Sequence, residues 1–326
     1  MLPHINTSGY TPQQIMMTLA GIAYAEPTVE LPKELSNTTY ATKGQWKLVW
    51  GPVNASYGIN LDNLMYVVQQ TGTNTLAVVV RGTVLKYKLS TLVDLYEYLG
   101  VTHSTPWRYP SVPGSQVAGG TLFGLDSLTS MTDTSGRTVF DFLNSFAAPT
   151  IYVTGHSLGG CLTTVLAPWL LYQLNEADNA PLGIYPYTFA APTAGNSAFA
   201  AWYNAHFPIS ARYFNAIDVI PKAWNNLAGI KDLFASGPPC PTLMRDVIDL
   251  VNGWLENKHI GYTQTNGNGL TLPGISTQNP DWFPELGAQH DHNYYLKLLG
   301  APVINTKSTF APKAQVSMPM QTERPI

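Results

Sequence analysis

The sequence predicts an α/β fold: a largely parallel central sheet with helices on both faces. Three observations predict it. Short runs rich in Val, Tyr and Thr, bounded by Gly, Asn or Pro, recur along the chain and read as strands. Helical patterns lie between them, and strands alternating with helices favour parallel pairing through crossovers. The 326 residues show no internal repeat and suffice for one large domain.

The elements follow in order. Thr11-Pro12-Gln13-Gln14 reads as a capping box with Pro at the first helical position. Ile15, Leu19, Ile22 and Ala23 then share one helical face. Ala23-Tyr24-Ala25 has the look of a signal cleavage site, but no Lys or Arg precedes it, so the helix is preferred. Strands are expected at Trp46–Trp50, Leu64–Gln69, Thr75–Arg81, Ile151–Thr154, Tyr187–Ala190 and Arg212–Ala216. Ile260–Gln264 is also strand-like. Helices are expected at Leu158–Gln173, where Pro168 should kink or end the helix, and at Ser197–Phe207. A third, Leu243–Leu255, carries an apolar stripe of Leu243, Val247, Leu250, Val251 and Trp254 at steps of three and four. A short helical run, Leu296–Leu299, precedes a tail over 301–326 punctuated by Pro302, Pro312, Pro319 and Pro325 and expected to run extended. Residues 1–326 are read as a single domain, with 223–287 as a long decorated connection.

Composition narrows the function. Charged residues make up 11% of the chain, against roughly 25% in average soluble domains. Lys plus Arg is 17 and Asp plus Glu is 20, a formal net charge of −3. The 45% hydrophobic content opposes disorder, and no basic run marks a nucleic-acid binder. The longest apolar helical candidate, Cys161–Leu174, falls short of the ~20 residues of a membrane span and contains Thr163, Thr164, Pro168 and Gln173. Two cysteines, Cys161 and Cys240, make no disulfide framework and have no metal-ligand spacing. No metal or cofactor is expected. Asn6, Asn37 and Asn54 head glycosylation triplets, which matter only in a eukaryotic secretory host.

The chemistry centres on Gly155-His156-Ser157-Leu158-Gly159-Gly160, a G-x-S-x-G pattern between a β-branched strand and a helical apolar run. Strand, tight turn and helix are what a nucleophile elbow requires: flanking glycines let the backbone turn sharply, and the hydroxyl sits at a helix N-terminus whose dipole favours negative charge. Ser157 is the candidate nucleophile. Such a serine needs a base, and the base an orienting carboxylate, in the chain order Ser, acid, His. Asp218, at the end of the Arg212–Ala216 run, is the candidate acid; Asp178, Asp232, Asp246 and Asp249 compete, and Asp246 and Asp249 fit a helix's polar face. His259, His290 and His292 follow it. Leu158, the residue after the nucleophile, is expected to offer one backbone N–H to an oxyanion.

Four ordered segments over roughly residues 12–300 give the chain a resemblance to the class 3 lipases, a fungal-type group of α/β-hydrolases. Ala77-Val78-Val79-Val80-Arg81-Gly82-Thr83 resembles the family's strand ending in Arg-Gly-Ser/Thr. Val153–Gly160 resembles its elbow. Tyr187–Asn196 is similar to its Thr-Phe-Gly-x-Pro-x-x-Gly-Asn segment, and Asn215–Pro221 to its Asn-x-x-Asp-x-Val-Pro segment. The resemblance implies an α/β-hydrolase fold with a short lid, and Asp218 as the acid. It implies His292 as the base, through Asp291-His292-Asn293-Tyr294-Tyr295, with His290 as the alternative. The 74 residues from Asp218 to His292 exceed the family's usual interval, and the excess matches the added helix at Leu243–Leu255. Thr83 would be the second oxyanion donor, and Asp94 would hold its loop. A lid over about 84–93 would carry Leu85, Leu89 and Leu92 on one apolar face, and Trp107 with neighbouring aromatics would line the acyl groove.

The expected function is a serine carboxylester hydrolase, foremost a triacylglycerol lipase, with a lipid ester substrate met at a lipid–water interface. Phospholipase A1 and feruloyl-type esterase are alternatives on the same scaffold. A non-catalytic binding module is disfavoured because all three triad types are present, and an adhesive structural protein would leave them unexplained. A secreted location is favoured over a cytoplasmic one.

Overall fold

A computed structural model describes residues 9–57, 61–82, 100–147, 149–234, 237–266 and 269–306. The lid region, with Thr83, Leu85, Leu89, Leu92 and Asp94, and the tail beyond Thr306 lie outside the described residues.

The chain begins with α1 (Pro12–Ile22) and α2 (Glu30–Leu35), then β1 (Trp46–Tyr57), β2 (Leu61–Gln70) and β3 (Thr75–Val80). A hairpin, β4 (Ser104–Arg108) and β5 (Ser111–Ala118), leads to α3 (Gly119–Ser130) and α4 (Val139–Asn144). Then come β6 (Thr150–His156), α5 (Leu158–Glu176), β7 (Gly183–Phe189), α6 (Ser197–His206) and β8 (Ala211–Asn215). The described chain ends with α7 (Thr242–Asn257), β9 (Leu270–Leu272), α8 (Trp282–His290) and α9 (His292–Leu298). The main sheet has the order β1-β2-β3-β6-β7-β8-β9. β1, β2 and β3 pair antiparallel, and every pairing from β3 to β9 is parallel.

Side chains alternate across this sheet with period two. Leu76, Val78 and Val80 face a core shared with α3, α5 and α7, while Ala77 and Val79 face one shared with α1, α2 and α9. Helices therefore cover both faces, and the parallel strands are buried on both. α1 packs as expected: the Thr11 N–H donates to Gln14 Oε1 at 2.8 Å, and Ile15, Leu19, Ile22 and Ala23 are buried. Gln14 Nε2 also donates to the Leu299 carbonyl at 2.8 Å, tying the two ends of the described chain.

Two local expectations give way, and one connection gains definition. α5 runs through Pro168 to Glu176. It is buried along most of its length, so packing compensates the hydrogen bond that proline removes. Ile260–Gln264 is not a strand; it follows the turn at Lys258–His259, with the Ile260 N–H donating back to Leu255 O and the Thr263 N–H to Gly195 O, both at 2.9 Å. The connection after β8 is a crossover: α7 returns the chain so that β9 adds to the sheet parallel to β8.

α8 is fixed against β8 by a buried polar chain. Asn215 Nδ2 donates to Gln289 Oε1 at 2.7 Å and to the Gln289 carbonyl at 3.0 Å. Gln289 Nε2 donates to Glu285 Oε1 at 2.9 Å and to Ile275 O at 2.8 Å. Glu285 also accepts from the Thr277 N–H and hydroxyl and from Asn279. Burial pushes this carboxyl up, but the donors from Thr277, Gln289 and Asn279 outweigh it and hold it at about 2. A carboxyl lower in the folded than in the unfolded chain stabilises fully above its unfolded value, here near 4.5, and loses that contribution as pH falls through about 2. Denaturant midpoints measured across that window should fall for the native protein and show a flatter slope for Glu285→Gln.

Candidate active site

The site forms where β3 and β6 end side by side. Ser157, between β6 and α5, has φ 61° and ψ −130°, a region that costs a non-glycine residue of order 1–3 kcal/mol. Its surroundings hold it there. The Ser157 N–H donates to Phe189 O at 2.9 Å, and its carbonyl accepts from the Gly160 and Cys161 N–H groups at 2.9 and 3.2 Å. A Cβ on Gly159 would sit 2.3 Å from Val80 O, and one on Gly155 would sit 2.3 Å from Gly159 O. The two glycines of the motif thus let the start of α5 press against the strand ends. Leu158 is the first residue of α5, where N–H groups have no intrahelical acceptor.

His290, the last residue of α8, faces the serine: its Nε2 lies 2.8 Å from Ser157 Oγ and its Nδ1 2.8 Å from Asp218 Oδ2. Ser157 is 1% exposed, Asp218 0% and His290 1%. A carboxylate only accepts, so Nδ1 carries the proton and Nε2 is left to accept from the serine hydroxyl. Asp218 sits in the turn after β8. Its Oδ1 accepts from the Ile220 N–H at 3.0 Å, and its Oδ2 also accepts from Tyr295 O–H at 2.8 Å. Tyr295 Oη in turn accepts from the Asn215 N–H at 2.9 Å. Burial and the adjacent Asp218 charge push the Tyr295 phenol far above its ordinary value, so it remains a donor.

The structure therefore corrects His292 to His290. Asp291 lies between α8 and α9 with extended backbone and caps α9, accepting from the Asn293 and Tyr294 N–H groups at 2.9 and 3.2 Å. The cap puts the two histidines on different helices. His292 stacks on Tyr24 (centroids 5.0 Å apart, planes 5° apart), and its Nε2 lies 3.2 Å from Thr306 Oγ1. Burial lowers its ring below the ordinary histidine value. Trp107 is the second difference: it is 1% exposed and packed edge-on against Tyr109 and Phe199, within the core instead of along a groove. Cys161 and Cys240 are both buried and free. No group of His, Cys, Asp and Glu suited to a metal ion occurs among the described residues.

Sequence reasoning missed the shell around the triad. Tyr24 Oη and His156 Nδ1 share a hydrogen bond of 2.9 Å, and the His156 ring packs 4.8 Å from that of His290. Burial, with His290 and His292 nearby, holds His156 well below the ordinary histidine value, so it is neutral at pH 7. Tyr24 has no motif signal, because a tyrosine after an apolar helix reads as core. Tyr295 was within the Asp291–Tyr295 stretch, but as part of the pattern locating the base.

Comparison with known proteins agrees with this geometry. The family model described as "Lipase (class 3)" matches residues 77–227, which hold most of β3, with Ser157 and Asp218. A lipase of Caenorhabditis elegans is 37% identical over 90 residues, 27% of this chain and 23% of that protein. A lipase of Rhizomucor miehei is 33% identical over 116 residues, 36% of this chain and 31% of that protein. The chain thus matches less than a third of the length of these curated relatives. The crystal structure of M37 lipase superposes with a TM-score of 0.80 at 26% identity, covering 90% of this chain and 94% of that one. The architecture is the α/β-hydrolase fold, and within it residues 77–227, with the elbow and Asp218, match the class 3 lipases.

Proposed function

We propose that the protein is a serine carboxylester hydrolase whose main substrate is triacylglycerol met at a lipid–water interface. The observation that carries this reading is the unbroken hydrogen-bonded line from Ser157 Oγ through His290 to Asp218, with 2.8 Å at each step. Ser157 Oγ attacks the ester carbonyl as His290 Nε2 takes its proton. Asp218 holds the ring through Nδ1–H and stabilises the imidazolium. The Leu158 N–H, at the head of α5, and Thr83 donate to the tetrahedral oxyanion. His290 then returns the proton to the departing alcohol oxygen. Water, deprotonated by His290, hydrolyses the acyl-enzyme, and the acid and free serine result.

The substrate class is supported by what the similar proteins are called, each a lipase. An interface is supported by the low charge of the chain, 11%, which gives little electrostatic reason to stay off an apolar surface. We further propose action outside the cell, with residues 1–326 forming one domain, a lid over 84–93 and Asp94 supporting its base. No described helix is long and apolar enough to cross a membrane.

Hydrolysis of p-nitrophenyl esters of rising chain length and of emulsified triolein tests the reading. Ser157→Ala and His290→Ala should each lower kcat by about 10⁴–10⁶-fold. His292→Ala should retain most of the activity, and full activity in Ser157→Ala would end the mechanism. Tyr295→Phe removes one donor to a buried carboxylate, a contact worth about 1.5–3 kcal/mol. Its kcat should fall about tenfold with little change in KM, as read from initial rates.

A further inference from the structure

We infer that Gln264 is a positioning residue that acts through Asp218: its side-chain amide ties the turn carrying that carboxylate to the loop that backs Ser157. The inference rests on the ester-hydrolase reading above and deepens it. Gln264 is 9% exposed, and its Nε2 donates to Ala191 O at 3.3 Å and to Pro221 O at 3.1 Å. A primary amide carries two N–H bonds on one nitrogen, and here each meets a backbone carbonyl.

The two carbonyls lie on either side of the reacting groups. The loop after β7 backs the elbow: Phe189 O accepts from the Ser157 N–H at 2.9 Å, and a Cβ on Gly160 would sit 2.9 Å from Ala191 Cβ. The turn after β8 carries the acid. Pro221 belongs to a short 3-10 turn over Ile220–Lys222, and the Ile220 N–H donates to Asp218 Oδ1 at 3.0 Å. One side chain thus joins the backbone packed against the nucleophile to the backbone that orients the carboxylate.

A second tie lies further along the same loops. The Thr193 N–H donates to Ala223 O at 2.7 Å, and the Trp224 N–H donates to Thr193 Oγ1 at 3.3 Å. Two segments joined at one point can pivot about it, and a second point removes that freedom. Gln264 supplies the point nearer to Asp218 in the chain. The amide is itself held from both sides. The Thr263 N–H donates to Gly195 O at 2.9 Å, and Tyr262 Oη donates to Val101 O at 2.7 Å. Asn266 donates through its N–H to Asn204 Oδ1 at 2.6 Å and through Nδ2 to Ser210 O at 2.7 Å. A side chain anchored this way can hold its acceptors in a fixed geometry, as a positioning group must.

Gln264→Met keeps the bulk of the side chain and removes both donors. A misplacement near 1 Å can cost about a hundredfold in rate, and a partial loosening should lower kcat for p-nitrophenyl butyrate about tenfold, with KM changed less than about twofold. Gln264→Asn, whose amide is one methylene shorter, stands in should the apolar variant not fold, and should show the same split. Combining either variant with Asp218→Asn tests the route. An effect that runs through the carboxylate should shrink to less than about twofold in that background, whereas a general loosening of the fold lowers the rate equally in both. An unchanged kcat in variants shown by thermal melting to be folded, a loss confined to KM, or an equal fall in both backgrounds overturns the inference. Absence of ester hydrolysis by the native protein at every chain length overturns the underlying reading instead.

Discussion

A carboxylate with no exposed surface must be satisfied by hydrogen bonds, and Asp218 is such a group. Its donors come from three parts of the chain: the Ile220 N–H from the turn after β8, the His290 ring from α8 and the Tyr295 hydroxyl from α9. None can be lost cheaply, because a buried charge left short of a partner costs far more than an ordinary hydrogen bond returns. That requirement fixes where α8 and α9 dock on the sheet. The Asn215–Gln289–Glu285 chain repeats the logic one layer out, so the rotation of α8, and with it the aim of His290, is set twice.

The same region stores strain at Ser157. A positive φ at a serine persists only where the surroundings over-determine it. Here the Phe189 carbonyl, the Val80 carbonyl and the first turn of α5 leave no space for another path. Strand pairing supplies the rigidity, since β3 and β6 run in parallel register from Thr75↔Thr150 to Val80↔Gly155. The sheet thus delivers the serine, and Asp218 delivers the histidine to it.

How much of this could be read from sequence follows from the range of the forces involved. Six of the seven strand-like runs form strands, because period and composition are local and the sheet buries both faces; Ile260–Gln264 does not. β9 escaped notice because Leu270–Leu272 is too short for a periodic signal and exists only by pairing with β8. β4 and β5 carry Pro106 and Pro113, which argue against strands, yet they pair as a separate hairpin away from the main sheet. Ser157 and Asp218 were legible because their roles follow local elements: an elbow and a strand end. The choice between His290 and His292 was not, because it depends on Asp291 capping α9 and so starting a second helix between them. Trp107 failed similarly: a tryptophan in an aromatic run looks like a groove lining until Phe199, ninety-two positions away in sequence, is seen to cover it.

The hydrogen bonds on Asp218 also explain how the chain between acid and base could grow. His290 and Asp218 are 72 positions apart, yet their contact is fixed by burial and by neighbours at each end, not by the length between them. Closing a longer loop costs little, about 0.6 kcal/mol for each doubling. An inserted helix therefore leaves the triad in place provided that it finds apolar surface to cover. α7 finds it through Met244, Ile248, Val251 and Leu255, and serves at once as the crossover that adds β9 to the sheet. That freedom lets the interval from Asp218 to His290 hold α7 and β9 while acid and base stay in contact.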